Sequence, residues 1–190
     1  MEEFDLYTCS RKKTGSKIVR GSGEKIPEGS YRLVVGVLIF NSKGELLIQQ
    51  RSKEKTTWTN LWDISCAGHV QAGETSQEGA SRELKEELGL TYDFTSEPAA
   101  ISISFPKGFE DFYILHLDLE PGELNLQKDE VQKVMWASKE KVLEMLECKN
   151  PEESFIPYEK SFLEYCFYCS KKQGLHTRED WTRNPSNKTI

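Results

Sequence analysis

The sequence predicts a mixed α/β (α+β) domain in which a mixed β-sheet is sandwiched between helices. Apolar, β-branched runs bounded by turn residues occur both before and after position 75, as is typical of strands. Between them lies one segment with apolar residues at helical spacing and with the start and stop signals of a helix. Strands on both sides of an amphipathic helix favour a sheet with helices packed on its faces.

Length and composition indicate one domain. The chain has 190 residues, of which 37% are hydrophobic and 29% charged, enough for one compact core.

The net charge of −6 disfavours a protein that binds the nucleic-acid backbone, because such proteins are basic. Five irregularly spaced cysteines are typical of reduced thiols. Without a membrane-spanning apolar stretch or a signal-like start, we expect a soluble cytoplasmic protein that binds no membrane. Monomer and homodimer both stay open.

Three segments are expected along the chain. Residues 1–30 are rich in Lys, Gly, Ser and Glu, which predicts a partly ordered N-terminal segment; within it, Phe4 to Thr8 is compatible with a short strand. Residues 31–172 carry the strand and helix patterns and form the predicted domain. Residues 173–190 are polar and are expected to form a loose tail.

The strands are predicted in order along the domain. Tyr31 to Phe40 and Glu45 to Arg51 form a hairpin around a Gly-containing turn. Further strands are predicted at 61–67, 99–105, 112–119 and 131–136, with a loop at 106–111. Caps and apolar spacing predict two C-terminal helices, at 138–148 and 155–172.

The best supported element is a helix over residues 76–88. Thr75 and Glu78 have the spacing of a capping box, Leu84 and Leu88 belong to an apolar stripe, and Gly89 suits the left-handed residue that ends a helix.

Three glutamates share one face of this helix. Glu83, Glu86 and Glu87 stand at i, i+3 and i+4, so their like charges repel unless a cation lies between them. Carboxylate oxygens suit Mg²⁺, or Mn²⁺, and Mg²⁺ keeps waters and substrate phosphate oxygens as its other ligands. The cluster therefore predicts a metal site for a small-molecule diphosphate; the alternative is a solvated acidic helix face.

The segment GHVQAGETSQEGASRELKEELGL resembles the Nudix box. The fixed positions of the box are filled by Gly68, Glu74, Arg82, Glu83, Leu84, Glu86, Glu87, Gly89 and Leu90. This resemblance implies a Nudix-like fold and Mg²⁺-dependent hydrolysis of a diphosphate (pyrophosphate) bond, in a nucleoside diphosphate derivative or another organic diphosphate. A metal-activated water would attack phosphorus.

The resemblance also implies roles for single residues. Glu83 and Glu87 are expected to bind metal directly, together with the carbonyl of Ala67. Glu86 would share a second ion or orient the water. Glu130, in a loop outside the box, is a candidate additional ligand or general base.

Other members of the box are expected to be structural. Glu74 and Arg82 would pair and brace the loop before the helix, and Gly68 and Gly89 fill the fixed glycine positions of the box.

Substrate contacts are expected outside the box. Arg51 and Lys107 are candidates for phosphate oxygens, His69 is a further candidate, and Trp62 would stack on a base or prenyl group unless it is a packing residue. Glu110 and Asp111, placed in the predicted loop, are alternative bases.

The resemblance extends over roughly Phe4 to Trp136, to the branch that includes isopentenyl-diphosphate delta-isomerase and its hydrolase-like relatives. His69 and Glu130 match the isomerase pattern. However, Ala67 stands where that isomerase needs a cysteine, and Arg32 where it needs a histidine. Hydrolysis is therefore preferred to isomerisation, and to a third alternative, a non-catalytic metabolite-binding module.

Overall fold

A seven-stranded mixed sheet forms the centre of the structure. The computed structural model describes residues 2–173. In these residues the strands are β1 Glu3–Tyr7, β2 Lys13–Val19, β3 Arg32–Phe40, β4 Leu46–Arg51, β5 Trp62–Asp63, β6 Cys66–His69, β7 Ile101–Phe105, β8 Gly108–His116 and β9 Val131–Ala137. The helices are α1 Ser76–Leu88, α2 Lys139–Glu147 and α3 Lys160–Gln173. None of them is long and apolar enough to cross a membrane.

Strand β3 organises the sheet. It pairs in parallel with β8 over its whole length and antiparallel with β6 from Val34 to Val37. With β4 it pairs only at Phe40 and Leu46; further along, β4 pairs with β5 and with β9 instead. The two predicted strands of the hairpin are confirmed, but they diverge beyond their turn. Helix α1, which carries the three glutamates, contacts both β4 and β6, the two strands on either side of this divergence.

Apolar layers lie on both faces of the sheet, which confirms the predicted sandwich. Helix α1 covers one face with Ala80, Leu84 and Leu88, which pack against alternate residues of β3 such as Val35 and Val37. Helices α2 and α3 cover the other face. Their buried residues Val142, Met145, Leu163 and Phe167 pack against Leu38, Phe40, Ile48 and Phe112.

Helix α1 begins and ends where the sequence predicts. The Thr75 hydroxyl accepts a hydrogen bond from the Glu78 amide, and the Glu78 carboxylate accepts one from the Thr75 amide, so the capping box is complete. Gly89 ends the helix with φ at 72°, and its amide donates to the Lys85 carbonyl.

The predicted loop at 106–111 is wrong. Strands β7 and β8 are joined by a two-residue turn, Pro106 and Lys107, in which Lys107 has a φ of 66°. Glu110 and Asp111 consequently lie inside β8, where parallel pairing with β3 overrides their low strand propensity. Asp111 accepts hydrogen bonds from Ser76 and Ser102 and forms an ion pair with Arg11. Its carboxylate therefore has a structural role and is not a candidate general base.

The N-terminal segment forms an antiparallel hairpin of β1 and β2. Strand β2 has no sequence signature because, of its seven residues, only Ile18 is buried. The hairpin is held on the loop before α1: the Ala72 amide donates to the Glu3 carbonyl, and the Gly73 amide donates to the Asp5 carboxylate.

The C-terminal helices are confirmed with one change of boundary. Helix α2 is capped by Ser138 as predicted. Helix α3 begins at Lys160 rather than at 155, since Pro157 disfavours helix in the residue before it, and Phe155 instead bridges to Trp62. The predicted tail lies, apart from Gln173, outside the described residues.

We expect Thr75→Ala to lower the free energy of unfolding by about 1 kcal/mol, the usual cost of losing an N-cap hydroxyl. Urea unfolding followed by circular dichroism measures this as a lower midpoint with an unchanged m-value. The matched control is Thr56→Ala, at an exposed threonine in the loop after β4. Equal shifts in both variants would contradict the capping role.

Candidate active site

A cavity of about 200 Å³ opens beside α1, β6 and the N-terminal hairpin. Charged side chains dominate its lining. In the part of the chain that the structure describes, they are the carboxylates Glu2, Glu83, Glu86, Glu87 and Glu130 and the cations Arg20, Lys55 and Arg82. All three glutamates of the predicted cluster therefore face one space, and three further segments contribute charges to it: the ends of the N-terminal hairpin, the loop after β4 and the loop before β9.

Two of the glutamates are buried. Glu83 is 7% exposed and Glu87 is 4% exposed. Burial, together with the charge of Glu83, raises the pKa of Glu87 to about 8. The pKa of Glu83 is also raised by burial, although Arg82 opposes the shift. Two adjacent carboxylates that ionise with difficulty gain most from a cation.

Gly68 allows Glu83 to approach the sheet. A Cβ atom at position 68 would lie 2.0 Å from Glu83 Oε1, far inside contact distance. The first glycine of the box is therefore required for the observed position of the Glu83 carboxylate, because a larger residue there would displace that carboxylate.

Arg82 connects the helix to the loop before it. Its guanidinium donates to Glu74 at 2.8 Å, to Glu83 and Glu86 at 2.9 Å each, and to the His69 carbonyl at 2.8 Å. Glu74 in turn accepts from the Gln71 amide at 2.8 Å. Arg82 and Glu74 thus lie together and brace the loop, with no donor of Arg82 directed at a substrate.

The donor set fits a hard divalent ion. Glu87 accepts from Gln49 Nε2 at 2.8 Å, and Gln49 Oε1 is buried without a partner among the described residues. A water bound to an ion at Glu87 would supply the missing donor. Mg²⁺ commonly takes only one or two protein carboxylates and keeps several waters, so the buried pair with the Ala67 carbonyl is a compatible set.

The three glutamates do not converge by themselves. Among residues 2–173, no three His, Cys, Asp or Glu side chains are arranged to hold an ion together. The Glu86 side chain is 49% exposed and paired with Arg82, which separates it from the buried pair. Glu86 can act as an additional metal ligand only if its ion pair with Arg82 breaks.

Two cations of the cavity escaped the sequence reasoning. Lys55 lies in the loop after β4 and contacts Glu130, and burial lowers its pKa. Arg20, just after β2, pairs with Glu2 at 2.7 Å. Neither residue stands in a recognisable motif, since only tertiary packing of a polar loop and a polar hairpin brings them to α1.

Three of the expected substrate contacts lie elsewhere and are corrected. The Arg51 guanidinium lies 3.4 Å from the Asp63 carboxylate, and it also donates to a backbone carbonyl of the loop after β4. Trp62 is 4% exposed, and its indole donates to the Glu152 carbonyl, so it is a packing residue. Lys107 is in the exposed turn after β7, where its amine donates to the Pro27 carbonyl at 3.1 Å.

His69 and Cys66 are also held away from the cavity. The His69 ring stacks on Phe4 with centroids 5.2 Å apart, and burial lowers its pKa to about 4, so it is neutral. Cys66 is fully buried in the layer beneath α1, and burial raises the pKa of its thiol well above the ordinary value. The residue of β6 that lines the cavity beside Gly68 is Ala67.

Comparisons with known proteins agree with this architecture. The NUDIX domain family matches residues 30–178. An uncharacterized Nudix hydrolase of Listeria innocua is 43% identical over 176 residues, which are 93% of this chain and 99% of that protein. An isopentenyl-diphosphate delta-isomerase of Serratia proteamaculans is 26% identical, over 82% of this chain and 84% of the isomerase. A crystal structure from Deinococcus radiodurans matches with a TM-score of 0.70 and 25% identity, over 87% of this chain and 99% of that one. The chain belongs to the Nudix domain family, and it is a hydrolase.

Proposed function

We propose that this hydrolase cleaves the diphosphate bond of a small molecule, a nucleoside diphosphate derivative or another organic diphosphate, with Mg²⁺ and alternatively Mn²⁺. One observation carries the proposal: the buried carboxylates Glu83 and Glu87 share a small cavity with cations from two other elements. Carboxylates alone would repel a diphosphate, so an ion on the glutamates and the cations beside them together make the cavity suitable for phosphate oxygens.

The proposed metal ligands are Glu83, Glu87 and the Ala67 carbonyl, and Glu86 joins them when it leaves Arg82. An ion bound there supplies an acidic water and neutralises charge that develops on the leaving phosphate. Gln49 holds the Glu87 carboxylate in place through its amide.

Lys55 and Arg20 are the proposed phosphate contacts. Both form ion pairs with carboxylates in the same cavity, Lys55 with Glu130 and Arg20 with Glu2. A diphosphate that enters the cavity competes for these cations. When Lys55 turns to the phosphate, Glu130 loses its partner and becomes able to accept the proton of the attacking water, which makes it the proposed general base.

The isomerase alternative lacks its thiol in this arrangement. The side chains of Cys66 and Ala67 point to opposite faces of the sheet, since successive residues of a strand alternate. Cys66 faces the apolar layer under α1 as a neutral thiol, and Ala67 brings no acid or base to the cavity.

Incubation of the protein with Mg²⁺ and a panel of nucleoside diphosphates, nucleotide sugars, dinucleotides and isopentenyl diphosphate tests the proposal. We expect phosphate or nucleotide products that disappear with chelator. Formation of the isomer dimethylallyl diphosphate would contradict hydrolysis as the reaction, and binding without turnover would contradict the whole proposal.

Glu87→Gln is expected to abolish turnover and Mn²⁺ binding, because the amide lacks the charge that holds the ion. The metal-free protein should melt no lower than the unsubstituted protein, since the amide removes repulsion between two buried carboxylates. Electron paramagnetic resonance measures bound Mn²⁺, and Glu144→Gln, at an exposed residue of α2, serves as the control. Undiminished Mn²⁺ binding by the Glu87 variant would exclude this residue as a ligand.

Lys55→Met is expected to lower kcat/KM by about 10- to 150-fold, the usual value of a charge-assisted hydrogen bond. Lys107→Met is the matched control and should leave kcat/KM unchanged, because Lys107 lies at an exposed turn. The reverse result, with the larger loss at Lys107, would restore Lys107 as the phosphate contact and remove Lys55.

A further inference from the structure

Strand β7 lies at one edge of the seven-stranded sheet. In residues 2–173 its hydrogen-bonded neighbour is β8 alone, which follows it after a two-residue turn. Phe105 and Gly108 close that turn as a pair, so Phe105 and Ile103 direct their backbone groups at β8. The backbone groups of Ser102 and Ser104 consequently point outward in the plane of the sheet, and both residues are exposed. We call this outward side of β7 the open edge.

The open edge lacks the charges that usually keep sheet edges apart. Exposed edge strands are commonly protected by charged side chains, above all by lysine. From Pro98 to Pro106 the sequence contains no charged residue, and inside β7 it alternates isoleucine with serine. Strand β2, at the edge of the N-terminal hairpin, differs in this respect because it carries Lys13 and Lys17. An uncharged edge of β-branched residues is suited to pairing with a further strand.

The sequence around β7 is complementary to itself in the antiparallel direction. Glu97 lies five residues before Ser102, and Lys107 lies five residues after it. If Ser102 pairs with Ser102 of a second copy, Glu97 of each copy therefore comes opposite Lys107 of the other. Cross-strand pairs of opposite charge stabilise a sheet, whereas like charges destabilise it. In the same register Pro98 comes opposite Pro106, so residues that cannot donate to a ladder limit the shared strand at both ends.

One flank of helix α3 lies on the same side of the molecule as the open edge. Glu164, on the opposite flank, pairs with Lys139 of α2 at 3.8 Å. Phe162 lies away from α2, and the centroid of its ring is 4.8 Å from that of Phe112 in β8, the strand next to β7. Tyr165 follows Phe162 on this flank, since residues three apart are neighbours on a helix surface.

This flank continues the open edge with aromatic side chains. Tyr165 and Tyr168 are each 51% exposed, and their ring centroids lie 6.1 Å apart. Ile103 of β7 packs in the same apolar layer as Phe162. Backbone donors and acceptors, aliphatic side chains and aromatic rings thus lie side by side on one surface. Protein interfaces have this composition at their centre, where aromatic residues are enriched and charged residues are depleted.

We propose that the protein forms a homodimer in which the β7 strands of two copies pair antiparallel about Ser102 and join the two sheets into one. The two-fold axis is perpendicular to the joined sheet, so both α3 helices lie on the same face of it, one on each side of the β7 pair. Three strand spacings, about 14 Å, separate the two β8 strands. Phe162 and Tyr165 of both copies project into the space between the helices and become less exposed to water.

The charges at the ends of β7 identify a second copy as the partner. An unrelated strand could also add hydrogen bonds to the open edge, but it would match Glu97 and Lys107 only by chance. A second copy matches both of them, and the two-fold axis repeats each contact. The described residues that line the active-site cavity include none from β7, so the pairing covers no group proposed for catalysis. The dimer is therefore independent of the proposed function.

Sedimentation velocity over a range of protein concentrations measures the dimer. Ser104→Pro removes an outward-facing N–H and blocks strand addition, but it leaves the hydrogen bonds between β7 and β8 in place. Ser104→Thr keeps the N–H at the same position and is the matched control. We expect the unsubstituted protein and the threonine variant to dimerise as their concentration rises, and the proline variant to stay monomeric. Circular dichroism checks that each variant is folded.

Exchange of the two charges tests the register. Glu97→Lys and Lys107→Glu each place like charges opposite each other twice in the dimer, so each should raise its dissociation constant by about 2- to 30-fold. The double variant restores opposite charges and should return the constant to near the unsubstituted value. Hydrogen–deuterium exchange in residues 98–106 should slow as the dimer forms, because the amides of Ser102 and Ser104 become hydrogen-bonded.

A monomer at every concentration would overturn the proposal, and so would a dimer that persists in the folded Ser104→Pro variant. Slow exchange of residues 98–106 in a monomer would mean that another part of the chain covers the open edge, which also overturns it. A double charge variant that dimerises no better than the single variants would exclude the register centred on Ser102. Should Ser104→Pro not fold, the charge variants and the exchange measurement decide the question.

Discussion

The burial of two like charges, Glu83 and Glu87, is the constraint on which the site depends. The close fit of Glu83 against Gly68 leaves the carboxylate with little exposure to water. Arg82 offsets part of this cost by donating to Glu83 and Glu86 and to the loop. The spacing of the box follows from this arrangement: a glycine lies against Glu83, one arginine pairs with Glu83 and Glu86, and the cavity stays open on one side.

The rest of the cavity is completed by segments outside the box. The N-terminal hairpin is tied to the box loop by Lys13, whose amine donates to the Glu74 carbonyl and pairs with Asp5 at 2.7 Å. This attachment fixes Arg20 and Glu2 at the rim of the cavity. The hairpin also contacts the main sheet through Tyr7, which is buried in the apolar layer beneath α1, and through Phe4, whose ring stacks on His69 of β6.

Features that depend on local spacing were predictable, and features that depend on long-range pairing were not. The bounds of α1 follow from a capping box and Gly89, both within one turn of the helix ends. The loop at 106–111 was wrong because parallel pairing with β3, about 76 residues away in sequence, makes β8 a strand. Lys55 and Arg20 reach the site only through tertiary packing, and no spacing rule marks them. The same packing buries Trp62 and sends Lys107 to an exposed turn.

Alternation along the strands divides the side chains of the sheet between its two faces. On β6, Gly68 faces the glutamates of α1, whereas Ala67 packs towards the opposite core, and a shift of one residue puts the Cys66 thiol out of reach of the cavity. On β3 and β8, the same alternation turns Arg32 and Glu110 away from α1. The buried glutamates therefore lie on the face with the helix, and Arg32 and Glu110 lie on the other face.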